Sequence, residues 1–263
     1  METYRNIFST TVAEYAVYRF NFLLWRFRNV ITLLIKYYLW TAVYGSHSML
    51  FGYSQTHMLT YIMLSTVISS FVLATRTADV AGEILQGKII DYVLRPLDFF
   101  TYQITRDVAD KLINISLQVI EIAIVIALVK PVLFVQTNPQ ALLLTFVFLV
   151  LGTIIAFFVN LLIAFLGFWT HEVWAPRFVF TMLVLVFSGS YFPLDIIPRN
   201  VYVLFFLTPF PYLYFIPTRA YLGMPPQDIA FTLLGAVGWS FLSFYLARKV
   251  WQKGLREFSF FGR

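Results

Sequence analysis

Apolar residues fall along this chain in six long blocks, at roughly 29–45, 58–75, 110–130, 141–168, 178–194 and 229–247. A helix crossing the ~30 Å hydrocarbon core takes about 20 such residues, so each block predicts a membrane-spanning helix. The fourth block is long enough to tilt or to extend past the bilayer. Ahead of the first block, Tyr4, Phe8, Val12, Tyr15, Tyr18, Phe22 and Trp25 recur at steps of three or four, with Arg5, Glu14, Arg19 and Asn21 between them. That period predicts an amphipathic helix over 1–28. Its Tyr, Phe and Trp content places it in the plane of the membrane interface; packing on a soluble partner is the other reading of the same stripe.

Two connections are more than connectors. Between the second and third blocks, 76–111 reads as short helices broken at Gly87 and at Arg95-Pro96, where the residue before proline is pushed out of the helical region. A structured, turn-containing loop of this length is suited to docking against something outside the membrane. After the fifth block, 193–227 holds prolines 193, 198, 209, 211, 217, 225 and 226, and its apolar piece 201–207 is only about a third of a crossing. Short helices that dip into the outer leaflet and return would satisfy this pattern. Irregular backbone at that depth survives only under protein cover or beside a cavity, so the region is a candidate lid.

Composition agrees with lipid as the solvent. Of 263 residues 60% are apolar and 12% charged, where soluble domains carry about 25% charge. Glu2, Arg5, Glu14 and Arg19 with no small-residue cleavage site argue against a cleavable signal at the N-terminus. The chain has no cysteine, which removes disulfides and thiolate metal sites. Fifteen of the 19 Lys and Arg fall in the pre-span segment, 76–111, the loop with Arg177 and the C-terminal tail; Lys130, Arg199 and Arg219 fall opposite, and Lys36 within a span. Basic loops stay cytoplasmic, so both termini are expected there. The +6 charge follows from this asymmetry and implies no nucleic-acid partner.

Catalytic motifs are absent from the sequence. Gly82 to Lys88 matches seven places of a phosphate-binding loop, but Ile89 stands where Ser or Thr would hold magnesium, and no strand pattern precedes it. His47, His57 and His171 have no ligand spacing, and His171-Glu172 reads as a solvated loop pair. Two ionisable groups fall inside apolar blocks, Lys36 and Glu121. Such charges face a bundle interior, a cavity or a partner, and their similar depths suggest a pair, within one chain or across a dimer. Snorkelling of Lys36 and a protonated core Glu121 are the competing readings. Asn114, Gln118 and Asn160 suit interhelical hydrogen bonds.

With these residues on the page, the chain resembles the membrane-permease subunit of a bacterial ABC transporter of the second exporter type, in its short six-span subfamily. The likeness is carried by Gly82-Glu83, Gly87-Lys88 and Asp91-Tyr92-Val93-Leu94-Arg95-Pro96-Leu97, then by Phe187 to Leu194, Thr208-Pro209-Phe210, Pro217 to Gly223 and the basic aromatic tail. The resemblance implies an all-α integral membrane protein of six transmembrane helices, with an N-terminal interfacial helix, a cytoplasmic coupling helix and re-entrant helices between spans five and six. It implies ATPase coupling through Glu83, Gly87, Lys88, Asp91, Arg95 and Pro96, and an outer gate around Gly189, Pro193, Pro198 and Pro209. Two separate ATPase subunits carrying ATP and Mg would lie beneath two permeases, the second being this chain or a homologue, in a bacterial inner membrane. An ion-coupled transporter or channel, or a lipid-modifying enzyme, is the alternative; the first predicts an internal repeat, the second a cluster of intramembrane catalytic groups.

Overall fold

The computed structural model describes residues 2–17, 19–94, 98–225 and 228–258, and helices dominate it. In chain order these are α1 (Glu2–Val17), α2 (Arg19–Tyr44), a hairpin of β1 (Met49–Leu50) and β2 (Tyr53–Ser54), α3 (Gln55–Val72), α4 (Thr77–Leu85), α5 (Ile90–Leu94), α6 (Phe99–Val129) and α7 (Pro139–Ala164). A 3-10 turn at Phe165–Phe168 prolongs α7. Then follow α8 (Trp174–Phe187), a 3-10 turn at Leu194–Ile196, α9 (Arg199–Phe206), a 3-10 turn at Phe210–Tyr212, α10 (Phe215–Tyr221) and α11 (Ile229–Glu257).

The long helices start where a short polar side chain can take up an orphan backbone N–H. Ser54 accepts from His57 N at 3.2 Å, Asp98 from Thr101 N at 2.8 Å, Asn138 from Gln140 N at 2.9 Å and Asp228 from Phe231 N at 2.9 Å. From these starts, four helical stretches among the described residues are long and apolar enough to cross a bilayer: Gln55–Leu85, Phe99–Val129, Pro139–Phe168 and Ile229–Glu257.

Several boundaries differ from expectation. The interfacial helix expected over 1–28 is divided: α1 ends at Val17, and α2 already begins at Arg19, ten residues before the expected first span. α1 packs on α6. Carrying Arg19, Arg26, Arg28 and Lys36, α2 is too polar to stand among the four stretches, and α8, at 14 residues, is too short. The third helix begins at Phe99 rather than 110, because Asp98 caps it and its charged residues Arg106, Asp107, Asp110 and Lys111 are buried and paired instead of solvated. α11 continues ten residues past the expected end of the sixth block.

The core centres on α7, which packs against α11, α10 and α4, while α3 packs against α2. Gly152 lets α7 approach the connection before α10, since a Cβ there would lie 2.6 Å from the Tyr212 carbonyl. One cluster, with Tyr44, Tyr61, Phe148, Tyr214 and Phe215 fully buried, fills the hairpin end of the bundle; a second, with Ile84, Phe99, Phe165 and Trp251, fills the opposite end.

Candidate functional site

At the end of the bundle carrying most Lys and Arg, α3 stops at Val72 and the chain turns into the α4–α5 element. Lys111 on α6 donates to the carbonyls of Phe71 and Ala74 at that stop, the position where a cation meets the negative end of a helix. Arg76 in the turn pairs with Asp110 of α6 at 3.3 Å and also with Glu14 of α1. α4 then buries Val80, Ala81 and Ile84 against α7 and its 3-10 extension.

Glu83 points inward from α4. Tyr92 of α5 donates to its Oε2 at 2.8 Å, and Arg106 of α6 donates to its Oε1 at 3.1 Å while reaching Asp79 at 3.4 Å. Burial, with the Glu83 carboxylate beside it, holds the Tyr92 phenol well above its usual pKa. Gly87 makes the turn between α4 and α5 at φ +72°, where L side chains are strained. Before it Leu85, and beyond it Lys88, Ile90, Asp91 and Leu94, are exposed, Leu94 at 77%. Thus the structure gathers four of the anticipated coupling residues but divides them: Lys88 and Asp91 face outward, Gly87 shapes the turn, and Glu83 locks the element to α6. Arg95 and Pro96 lie outside the described residues.

Lys36 and Glu121 do not pair within the chain. Glu121 faces Arg26 at 3.3 Å, and Arg26 also donates to the Asn114 carbonyl at 3.1 Å. Lys36 lies ten residues beyond Arg26 on α2, about 15 Å further along the axis, level with the end of α8. There its ammonium donates to Ser190 O at 2.9 Å and Ser190 Oγ at 3.0 Å and sits 4.6 Å from the Tyr191 ring centroid. Of the three expected hydrogen-bonding residues, two bridge helices: the Asn114 side-chain oxygen accepts from Arg26 of α2, and Gln118 donates to Val67 O at 3.1 Å, whereas Asn160 bonds back to its own helix at Ala156 O. Asn29, Ser70, Gln118 and Glu121 line a crevice of about 20 Å³ between α2, α3 and α6, room for about one water.

The expected outer gate is an irregular segment following α8. Three consecutive carbonyls there take side-chain donors from two other helices. Tyr61 donates to Gly189 O at 2.7 Å, Lys36 to Ser190 O at 2.9 Å and Trp40 to Tyr191 O at 2.9 Å. Gly189 has φ +75°, and a Cβ there would meet the Tyr61 hydroxyl at 2.6 Å. Pro193 and Pro198 stand immediately before the Leu194–Ile196 turn and α9, and Pro209 before the Phe210–Tyr212 turn. Asp195 accepts from the Tyr53 hydroxyl at 2.9 Å and pairs with Arg219 of α10 at 3.5 Å, tying the hairpin to this segment.

Sequence reasoning missed Tyr61, Trp40 and the Arg76, Arg106 and Lys111 network. The network had a signal: Arg106–Asp110 and Asp107–Lys111 are four apart, the spacing of one helical face. Tyr61 and Trp40 had none, since nothing local distinguishes them from other interfacial aromatics.

A family model described as ABC-2 family transporter protein matches residues 30–262, nearly the whole chain. No curated protein matches it.

Proposed function

The chain belongs to the ABC-2 family of transporter proteins, and from that premise we propose that it is the permease subunit of an ATP-driven exporter, coupled to separate ATPase subunits through α4 and α5. Its family and its apolar helices make it a multi-pass membrane protein and a transport component. In the proposed arrangement α2 and α8 complete six crossings, the α8 crossing being finished by the irregular segment after Phe187. The Lys- and Arg-rich end is cytoplasmic, by the positive-inside asymmetry. Two permeases, identical or homologous, enclose the pathway in a bacterial inner membrane, because a single six-helix bundle is small for one. ATP and Mg belong to the ATPases.

The observation that carries this reading is the division of labour in α4–α5. Outward-facing Lys88, Asp91 and Leu94 are free to meet a partner, while Glu83, Asp79 and Arg76 bind the same element to α6 and α1. A push on the exposed face is therefore delivered to helices rather than absorbed by a loop. α3 is the natural lever. Its lower end joins α4 and is capped by Lys111, and about 16 Å higher its Tyr61 holds the Gly189 carbonyl. Closure of the ATPases would move α4 and α5, and α3 would carry that displacement to the segment after α8.

Affinity purification in mild detergent tests the proposal. Wild type is expected to bring down an ABC-type ATPase, and Lys88→Glu with Asp91→Lys and Leu94→Asp is expected to lose it while keeping its helical content. If wild type brings down no ATPase while still folded, the coupling assignment is wrong.

A further inference from the structure

α11 is longer than a crossing requires. Its 29 residues span about 43 Å at 1.5 Å per residue, against a ~30 Å core, so about nine residues project beyond the membrane. One side of this projection is fixed: Ala247, Trp251 and Gly254 are buried, with Trp251 packed on Phe99, Phe165 and Phe168. The other side exposes Arg248, Lys249, Lys253 and Arg256. Lys253 has Glu257 at 3.7 Å; among the described residues Arg248, Lys249 and Arg256 have no carboxylate partner.

The direction of these cations decides what they face. The Arg248 guanidinium lies 5.8 Å from the Phe244 ring centroid, the Lys249 ammonium 5.6 Å from that of Tyr245 and the Lys253 ammonium 6.0 Å from that of Trp169. Arg248 and Lys249 thus reach back one turn toward the membrane-crossing part of α11, as helical side chains do, instead of projecting away from it. Exposed Leu242, Tyr245 and Leu246 lead straight up to them without a polar gap, and exposed Trp169 and Trp174 stand at the same end. A row of cations at the cytoplasmic edge of an aromatic belt sits at headgroup depth.

We propose that the projecting end of α11 is a binding surface for anionic phospholipid headgroups of the cytoplasmic leaflet, with Arg248, Lys249 and Arg256 supplying unneutralised charge to the phosphates and Lys253 and Trp169 completing the edge. This rests on the orientation given above but not on the ATPase assignment. An acidic protein surface would have to approach from the cytoplasm, and the stacked cations do not point that way.

Tryptophan quenching in vesicles tests it with the permease alone. The full chain is reconstituted in phosphatidylcholine doped with brominated phosphatidylglycerol or brominated phosphatidylcholine. Each cation near the surface favours the anionic lipid roughly fivefold when fully expressed. An overall preference of at least about tenfold, weakening as salt rises, is therefore expected for wild type. Arg248→Gln, Lys249→Gln, Lys253→Gln and Arg256→Gln combined should bring the preference below about twofold, whereas exchanging Arg for Lys and Lys for Arg at the same places should retain it. Circular dichroism checks that both variants fold. Equal quenching by the two lipids in wild type overturns the proposal, as does a preference that survives neutralisation. If neutralisation instead abolishes ATPase co-purification and leaves lipid preference unchanged, the surface serves the ATPase and the lipid proposal is wrong.

Discussion

Among single residues, Gly189 is held both by its backbone conformation and by a close neighbour. Its φ of +75° and the nearness of the Tyr61 hydroxyl act together. Gly189→Ala is expected to cost about 1–3 kcal/mol of stability from backbone strain alone, read as a lowered unfolding temperature in detergent. Tyr61→Phe probes the same place without strain. It leaves the Gly189 carbonyl unpaired in a buried position, expected to cost about 1–3 kcal/mol, and it should disturb transport more than ATPase binding, because the coupling element is untouched. Arg26 and Glu121 give a different signature. Glu121→Ala removes the carboxylate that faces Arg26 and leaves the guanidinium its bonds to Asn114, so the expected cost is that of one charge-assisted hydrogen bond, about 1.5–3 kcal/mol. Replacing both with apolar residues should recover much of that loss in a double-mutant cycle on thermal stability.

Among elements, α4 and α5 differ in what holds them. α4 has an apolar face packed on α7, so it should persist when charges are altered. α5 has five residues and leans on Tyr92, which bonds Glu83 and packs edge-on against Phe99 and Tyr102. Arg106→Leu removes the cation that pairs with both Glu83 and Asp79. The expected outcome is faster amide exchange across α5 and the Gly87 turn, with α7 unchanged, and weakened ATPase co-purification despite an intact outward face. Unaltered exchange in α5 would show that the apolar contacts alone position it. Beside this region, one terminal nitrogen of Arg177 on α8 is buried with no hydrogen-bond partner among the described residues.

For the whole molecule, the absence of cysteine makes orientation measurable with one introduced thiol at a time. Lys88→Cys is expected to react with a membrane-impermeant maleimide only in inside-out vesicles, and Lys130→Cys only in right-side-out cells. The reverse pattern, Lys88→Cys labelled in right-side-out cells and Lys130→Cys in inside-out vesicles, would invert the assignment of the ends, and with it the place of α4–α5 and of the α11 surface. The same bundle explains how the two irregular regions are joined. α3 meets Lys111 at one end and, through Tyr61, Gly189 toward the other, so its rigidity links the two irregular regions.

Class, four of the six span-forming blocks, the Gly87 turn and the basic end were legible in the sequence, because each depends on local chemistry: apolar length, glycine's freedom at positive φ and the clustering of Lys and Arg. Partners were not. Lys36 and Glu121 suggested each other by depth along their helices, yet Arg26 takes Glu121, and the open carbonyls after α8 take Lys36. Glu83 carries the resemblance in the coupling string and nevertheless turns inward, because Arg106, placed in a loop by its charge, is in fact on a helix that its ion pairs allow to start earlier. A charge in a sequence shows that some partner or solvent must compensate it; which group does so is set by where distant helices bring their side chains, and that is decided only by packing in three dimensions.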